Sequence, residues 1–330
     1  MALKVGIIGC GLIGSRRAKV INSSKDAQVK AVADIDINKA KSLASQLNCN
    51  FYDDWKKITT NKEIDCIVVS TTNNNLAKIS YEAALNKKHV FCEKPLGKNV
   101  EEVKIAVDEA IKQNVVFKTG FTLRFHPGIQ KIRSIVDDGL IGKILFIRCR
   151  YGITGRPGYE KEWRAMPEIS GGGELIDQGI HILDLFRWFL GDFVNVCGDI
   201  GTLYWKMNVE DNAFAILKTP SNQLASLHVT WTQWNNIFSL EIFGSEGYLI
   251  MDGLGGAYGT EKVTHGKKAP PDKWPPEEKV MTFDHPEVAW EKEWEDFVIS
   301  IKQGKTPSGS GIDGLEALKL VFRIYDFCKK

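Results

Sequence analysis

Short apolar, β-branched runs alternate with amphipathic segments through the first third of the chain. Residues 5–8, 29–33, 67–69, 89–92 and 115–120 have the length and composition of buried strands, while 37–47 and 100–113 are rich in the Ala, Lys, Leu and Gln that favour helix. This alternation predicts a parallel, doubly wound sheet that is complete near residue 121.

Beyond that point the texture changes. A helix is expected over 127–137, a strand over 144–151, a loop rich in Gly, Pro and charge over 152–173, and a helix over 174–190. Apolar and polar residues alternate in 213–218, 225–231 and 238–243, which predicts an antiparallel sheet within 197–252. The segment 253–286, with its Gly, Pro and Lys, reads as loop, and 287–302 and 314–329 read as two closing helices. The fold class is therefore α/β: an N-terminal Rossmann-type domain, residues 1–121, and a C-terminal α+β domain, residues 122–330, built on a mainly antiparallel sheet.

Composition narrows the class of partner. With 330 residues, 43% hydrophobic and 25% charged, the chain can bury two ordinary cores without disulfides. The net charge of +2 offers no field to draw nucleic acid or an anionic membrane, so a small molecule is the expected partner. No apolar run approaches the ~18 residues of a spanning helix. The start of the chain passes directly into a strand-like run, so neither a signal peptide nor an anchor is expected. Seven scattered cysteines, none in a C-x-x-C spacing, suit reduced thiols and a cytoplasmic location.

Directly after the first strand stand Gly9, Cys10, Gly11, Leu12, Ile13 and Gly14, a G-x-G-x-x-G turn that opens a helical segment. The first two glycines let the turn close and the backbone approach a pyrophosphate; the third lets helix pack on strand. Asp34 ends the second strand 20 residues after Gly14, where a carboxylate can accept both hydroxyls of an adenosine ribose and repel a 2'-phosphate. Asp36 adds to that sign, Lys39 is the nearest cation, and NAD is expected over NADP. The competing reading is a structural turn with a helix-capping Asp.

The fourth strand ends in Cys92-Glu93-Lys94-Pro95, at the edge where open α/β sheets bind their ligands. A lysine there can stabilise the alkoxide that develops as hydride leaves a carbinol, although alone it would read as a solvated surface residue. A second group follows three glycines, Gly171 to Gly173. Asp177 and His181 stand four apart and Asp184 three further on, so an uninterrupted helix would set all three on one face, with His181 able to take a proton and Asp177 to orient it. Such a trio can also hold a metal, but no fourth ligand cluster is visible, and Asp184 reads as a structural partner of a loop or of Arg187.

In this order, Gly9 to Gly14, Asp34, Glu93-Lys94-Pro95 and Asp177-x-x-x-His181 resemble the glucose-fructose oxidoreductase, inositol dehydrogenase and MocA (Gfo/Idh/MocA) family across essentially the whole chain. The resemblance implies an NAD-binding Rossmann domain and a substrate domain whose open sheet mediates homodimer or homotetramer contacts. It implies NAD(P)-dependent hydride transfer at a carbinol or ketone carbon of a sugar, sugar phosphate, nucleotide sugar or cyclitol. Lys94 matches the motif lysine, Asp177 and His181 the acid/base pair, and Glu93 the residue near the nicotinamide ribose. Two alternatives within the family are cleavage of glycosides with recycled NAD and non-catalytic dinucleotide binding. The chain departs after its third strand, where Ser70, Thr71, Thr72 and Asn73 replace the family's Ser-Thr-Pro-Asn; Ser70, Thr71 and Asn73 remain candidate cofactor contacts. On the substrate side the candidates are Arg124, at the domain junction beside His126, and Arg156, Tyr159, Trp163 and Arg164, which could clamp an anion or stack on a sugar. A solvated loop, an interdomain ion pair or a subunit contact are the competing readings of these. Trp231 and Trp234 read as core or interface.

Overall fold

A computed structural model describes residues 2–329, which divide into two compact units. The first comprises the residues up to Phe121 with Glu168–Gly171 and Trp290–Leu318, and the second comprises Thr122–Pro167, Gly172–Ala289 and the residues from Lys319 onward.

In the first unit the chain runs β1 (Leu3–Ile8), α1 (Leu12–Ser23), β2 (Ala27–Ala33), α2 (Ile37–Leu47), β3 (Asn50–Tyr52), α3 (Lys56–Thr59), β4 (Cys66–Val69), α4 (Asn73–Leu85), β5 (His89–Cys92), α5 (Val100–Lys112) and β6 (Phe117–Thr119). Every pairing is parallel, in the order β3-β2-β1-β4-β5-β6. That is the doubly wound order whose reversal between β1 and β4 leaves a crevice at the carboxyl ends of the strands. β4 is buried throughout, as expected of a strand covered on both faces.

The second unit contains α6 (Pro127–Asp137), β7 (Ile144–Gly152), α8 (Ile180–Leu190) and seven further strands, β8 (Asn195–Gly201), β9 (Asn212–Lys218), β10 (Leu224–Thr230), β11 (Ile237–Gly244), β12 (Gly247–Asp252), β13 (Glu261–Lys267) and β14 (Glu278–Phe283); the short turn α7 (Pro167–Ser170), nearly all of which belongs to the first unit, precedes α8 in the chain. The strands form one sheet, β14-β13-β12-β11-β7-β10-β9-β8, in which only β7 and β10 pair in parallel. Its inner face carries Ile147, Cys149, Leu217, Val229 and Leu240, all buried. On the opposite face Phe214 and Ile216 are about half exposed.

The structure departs from the sequence-based expectation in three places. β13 and β14 form within a segment expected to be loop. β13 buries Glu261, Val263 and Gly266, of which only Val263 is a large apolar residue, and β14 is an edge strand exposed along most of its length, so neither shows a clean apolar alternation. Secondly, α9 (Val288–Gln303) contributes Trp294, Phe297 and Val298 to the same core as Val5, Val68 and Phe91, so the closing helix expected in 122–330 packs on the parallel sheet. Lys118 on β6, fully buried, ties it down by donating to Asp296 at 2.7 Å. Thirdly, the helix expected over 174–190 opens with a π turn, Leu175–Gly179, before α8 begins. α10 (Gly311–Cys328) ends the fold. Among the described residues no helix is long and apolar enough to cross a membrane.

Candidate active site

The turn after β1 is shaped by contacts that only glycine allows. Gly9 has φ +97°, and a Cβ there would lie 2.4 Å from the Ser70 carbonyl oxygen; a Cβ on Gly14 would lie 1.8 Å from the Gly9 oxygen. Gly11 is different, because a Cβ there would meet nothing within 4 Å. Gly11 also caps α1 without any side-chain bond to the first N–H groups, so the positive end of the helix opens into space. Leu12 is exposed, Ile13 is half-buried, and Cys10 is buried with its thiol pushed up to about 12 by burial and by the nearby Asp34 charge, which keeps it protonated and inert.

Asp34 is fixed to this turn. Its Oδ2 accepts the Cys10 N–H at 2.7 Å and its Oδ1 the Asp36 N–H at 2.9 Å, so the carboxylate is oriented before any ligand arrives. Asp36 caps α2, and Lys39 lies 3.8 Å from Asp36, drawn toward that carboxylate. Ser70 Oγ donates to the Gly9 carbonyl at 3.0 Å, and Thr71 Oγ1 donates to the Thr72 carbonyl. Asn73 is buried, and its amide donates to the Ser170 carbonyl at 2.8 Å, which makes it a brace within the unit. An uncapped helix start, an open glycine and a pinned carboxylate together fit a dinucleotide.

Glu93 follows β5 and is held by a residue the motif reading did not single out. Arg17 on α1 donates from Nε to Glu93 Oε1 at 2.8 Å and from Nη1 to Glu293 Oε2 at 2.6 Å. Arg17 was detectable as a cation in the buried stripe Gly14, Arg17, Ala18, Ile21, but its partner on α9 was not. Burial pushes the Glu93 carboxyl up, and Arg17 opposes that shift. Lys94, the next residue, is half-buried.

In the second unit the glycine triplet serves close packing. A Cβ on Gly172 would lie 2.2 Å from the Tyr325 hydroxyl oxygen and one on Gly173 would lie 2.0 Å from the Glu210 carbonyl oxygen. Buried Glu210 accepts the Gly173 and Leu175 N–H groups, both at 3.0 Å, and the Tyr325 hydroxyl at 2.6 Å, which anchors the entry to the π turn. The wider turn rotates Asp177 away from the register it would have in an α-helix, so the three acidic and imidazole groups do not form one α-helical stripe. Asp177 and His181 are half-buried, while Asp184 is 1% exposed and pairs with Arg124. Arg187 pairs with Asp192.

The expected substrate residues separate into two groups. Arg164 Nε lies 3.2 Å from Asp177 Oδ2, its guanidinium over the Trp163 ring, so these three are brought together. Arg124 donates to Asp184 from two of its three nitrogens, Nε at 2.8 Å and Nη2 at 2.7 Å, and His126 lies 2.6 Å from Glu261. Arg156 binds both oxygens of Glu162 at 2.7 Å and lies over Tyr159. Tyr159 itself is 3% exposed and packs edge-on against buried Trp231. Trp234 is exposed and packs on Tyr204.

Sequence reasoning missed Tyr258. It lies in the loop 255–259, and its hydroxyl accepts from Gln178 Nε2 at 3.5 Å and from Tyr151. Burial pushes it up to about 12, and the charges of Glu174 and Asp177 act in the same direction. A tyrosine among three loop glycines carries no periodic signal, so only the fold brings it beside the π turn.

Residues 3–121 match the family described as "Oxidoreductase family, NAD-binding Rossmann fold", and residues 129–250 match "GFO/IDH/MocA C-terminal domain". The chain is 30% identical over 265 residues to a 2,7-anhydro-N-acetylneuraminate hydratase of Escherichia coli (strain K12), a match covering 77% of this chain and 66% of that protein. It is 27% identical over 331 residues to a myo-inositol 2-dehydrogenase of Thermotoga maritima, covering 96% and 94%. Among solved structures it superposes on levoglucosan dehydrogenase in complex with NADH with a TM-score of 0.90 at 23% identity, over 100% of this chain and 97% of that one. The chain belongs to the Gfo/Idh/MocA family of NAD-binding oxidoreductases.

Proposed function

We propose that this protein is an NAD-dependent dehydrogenase, or ketoreductase in reverse, of a sugar or cyclitol. The observation that carries the reading is the Asp34 carboxylate, hydrogen-bonded at 2.7 Å to the glycine turn beside the open start of α1. Residues 1–121 bind the dinucleotide, with Gly9, Gly11, Leu12, Ile13 and Gly14 around the pyrophosphate and Asp34 on the adenosine ribose. The carboxylate excludes a 2'-phosphate, and Lys39, drawn to Asp36, does not reverse that sign.

Bound NAD supplies a hydride acceptor for the carbinol carbon. His181 takes the hydroxyl proton, and Asp177 orients the imidazole, itself steadied by Arg164. Lys94 stabilises the oxyanion. The dehydrogenase names of the Thermotoga maritima relative and of the levoglucosan structure favour a cyclic polyol as substrate. The hydratase name of the Escherichia coli relative favours a second reading, in which the cofactor is recycled and no NADH accumulates. Half-exposed Phe214 and Ile216 on the outer sheet face support self-association through that face. Seven unpaired cysteines favour a reducing, cytoplasmic setting.

The test is a titration of NAD+ and NADP+ by intrinsic fluorescence, followed by a panel of cyclitols, sugars and anhydrosugars read both as NADH absorbance and by product analysis. Sustained NADH from one substrate class supports the dehydrogenase. Product without NADH supports the recycling reading, and failure to bind NAD+ overturns both.

A further inference from the structure

Glu93, Arg17 and Glu293 form a buried group of two carboxylates and one guanidinium. The side chains of Arg17 and Glu293 are 2% and 0% exposed and that of Glu93 is 13% exposed, so the group reaches the surface only through Glu93. Arg17 is held on every side. Its edge meets Glu93 at 2.7 and 2.8 Å and Glu293 at 2.6 Å, and the rings of Phe91 and Trp290 lie 4.4 and 4.3 Å from its centre. Gly120 gives the second Glu93 oxygen its room, since a Cβ there would lie 2.8 Å from Oε2.

A single Arg–Glu pair would suffice to brace α9 against the sheet. The second carboxylate is unexplained by bracing, because burying an extra charge costs stability. Its placement suggests another use. In a doubly wound sheet each half holds one nucleotide at the carboxyl ends of its strands. Asp34 marks the adenosine half, so the half containing β4, β5 and β6 receives the nicotinamide, and Glu93 stands at the end of β5.

We propose that Glu293 sets the redox balance of the bound cofactor: the Glu93–Arg17–Glu293 group presents one net negative charge to the nicotinamide and tightens NAD+ relative to NADH. The oxidised ring is cationic and the reduced ring neutral, so a nearby negative charge in a low-dielectric surrounding stabilises the first only. Lys94 also interacts with Glu93, and its charge is the same in the wild type and in a variant altered at Glu293. Glu293 acts through Arg17 and Glu93, as a positioning and charge-setting residue. The proposal rests on the NAD reading above.

The experiment compares NAD+ and NADH dissociation constants in the full-length wild type and in Glu293→Gln, which keeps the shape and removes one charge. The ratio Kd(NADH)/Kd(NAD+) is expected to fall about three- to tenfold in the variant, on the scale of a charge–charge interaction at an effective dielectric of about 20 to 40. Glu293→Met, which removes the same charge without burying an amide, serves if the Gln variant does not fold. Equal weakening of both ligands, with the ratio unchanged, is the signature of a merely structural role and overturns the proposal. A wild type that binds neither ligand overturns the NAD reading instead, so the two failures are distinguishable.

Discussion

Arg124 and Asp184 form a closed, two-pronged pair inside the second unit, Nε to Oδ2 at 2.8 Å and Nη2 to Oδ1 at 2.7 Å, with the two residues 3% and 1% exposed. Trp188 lies 5.3 Å from the guanidinium centre, completing its enclosure. A cation so placed has one edge of its planar fork filled by a carboxylate, which is the geometry of a structural brace for α8.

Arg124→Ala should therefore act on stability. Removing one partner leaves the Asp184 charge in the core, at a cost of about 3–5 kcal/mol, and each kcal/mol lowers the melting temperature by roughly 2–4 °C in a protein of this size class. The double replacement Arg124→Met with Asp184→Leu should recover much of the loss, because an apolar pair needs no desolvated charge. Thermal denaturation checks this. A single variant that melts normally but loses substrate affinity would return Arg124 to the substrate site.

Cofactor choice should depend on Asp34 in a way that separates charge from scaffold. Asp34→Asn removes the charge that repels a 2'-phosphate, and one amide hydrogen then faces a backbone N–H that the carboxylate had satisfied. NAD+ affinity is expected to fall about tenfold or more, the scale of a charged hydrogen bond, while NADP+ affinity falls less. Fluorescence titration of both cofactors gives the ratio. Equal losses for both would make Asp34 a turn-former only.

Much of this was legible along the chain, and the illegible parts share one cause. The strand runs, the glycine turn and Asp34 are local patterns, set by burial on both faces and by fixed spacings, and the sheet order follows from them. Asp177 and His181 were visible as a pair, but a π turn has no composition of its own, so the rotation of Asp177 toward Arg164 was not. The partner of Arg17 lies 276 residues away, and no periodicity joins α1 to α9. Arg124, Tyr159 and Arg156 were legible as residue types that suit ligands, but which carboxylate or ring the fold sets beside each was not.

Acid should weaken the first unit through His89. Burial holds its imidazole below 6.5, against a smaller opposing effect of Asp65, and its Nδ1 accepts the Val116 N–H at 3.0 Å, a bond that imidazolium cannot accept. With the folded value depressed below the unfolded one, the unfolded chain binds the proton first. Stability is then fully present above pH 6.5 and is lost as pH falls through the folded value. His228 and His265, in the second unit, are depressed by burial as well and give that unit a dependence of the same sign. His89→Asn, which keeps an acceptor and cannot titrate, should show a shallower fall of melting temperature between about pH 7 and 5. An identical slope would mean that His89 contributes nothing.

Tyr258 offers the most direct test of the substrate end. At neutral pH its hydroxyl keeps its proton, burial having pushed it up to about 12, and that hydroxyl accepts from Gln178 Nε2 at 3.5 Å in the turn that carries Asp177. Tyr151 donates to the same oxygen and is itself pushed well above 10 by burial. A proton-bearing hydroxyl beside Asp177 suits recognition of a neutral polyol. Tyr258→Phe removes one oxygen with little change of volume, and KM for the sugar is expected to rise about three- to tenfold, the scale of one neutral hydrogen bond, with kcat nearly unchanged. A loss in kcat with KM unchanged would instead place Tyr258 at the reacting atoms. If neither constant moves, the loop 255–259 only packs against the turn, and specificity must come from other groups near Asp177, such as Arg164 and Trp163.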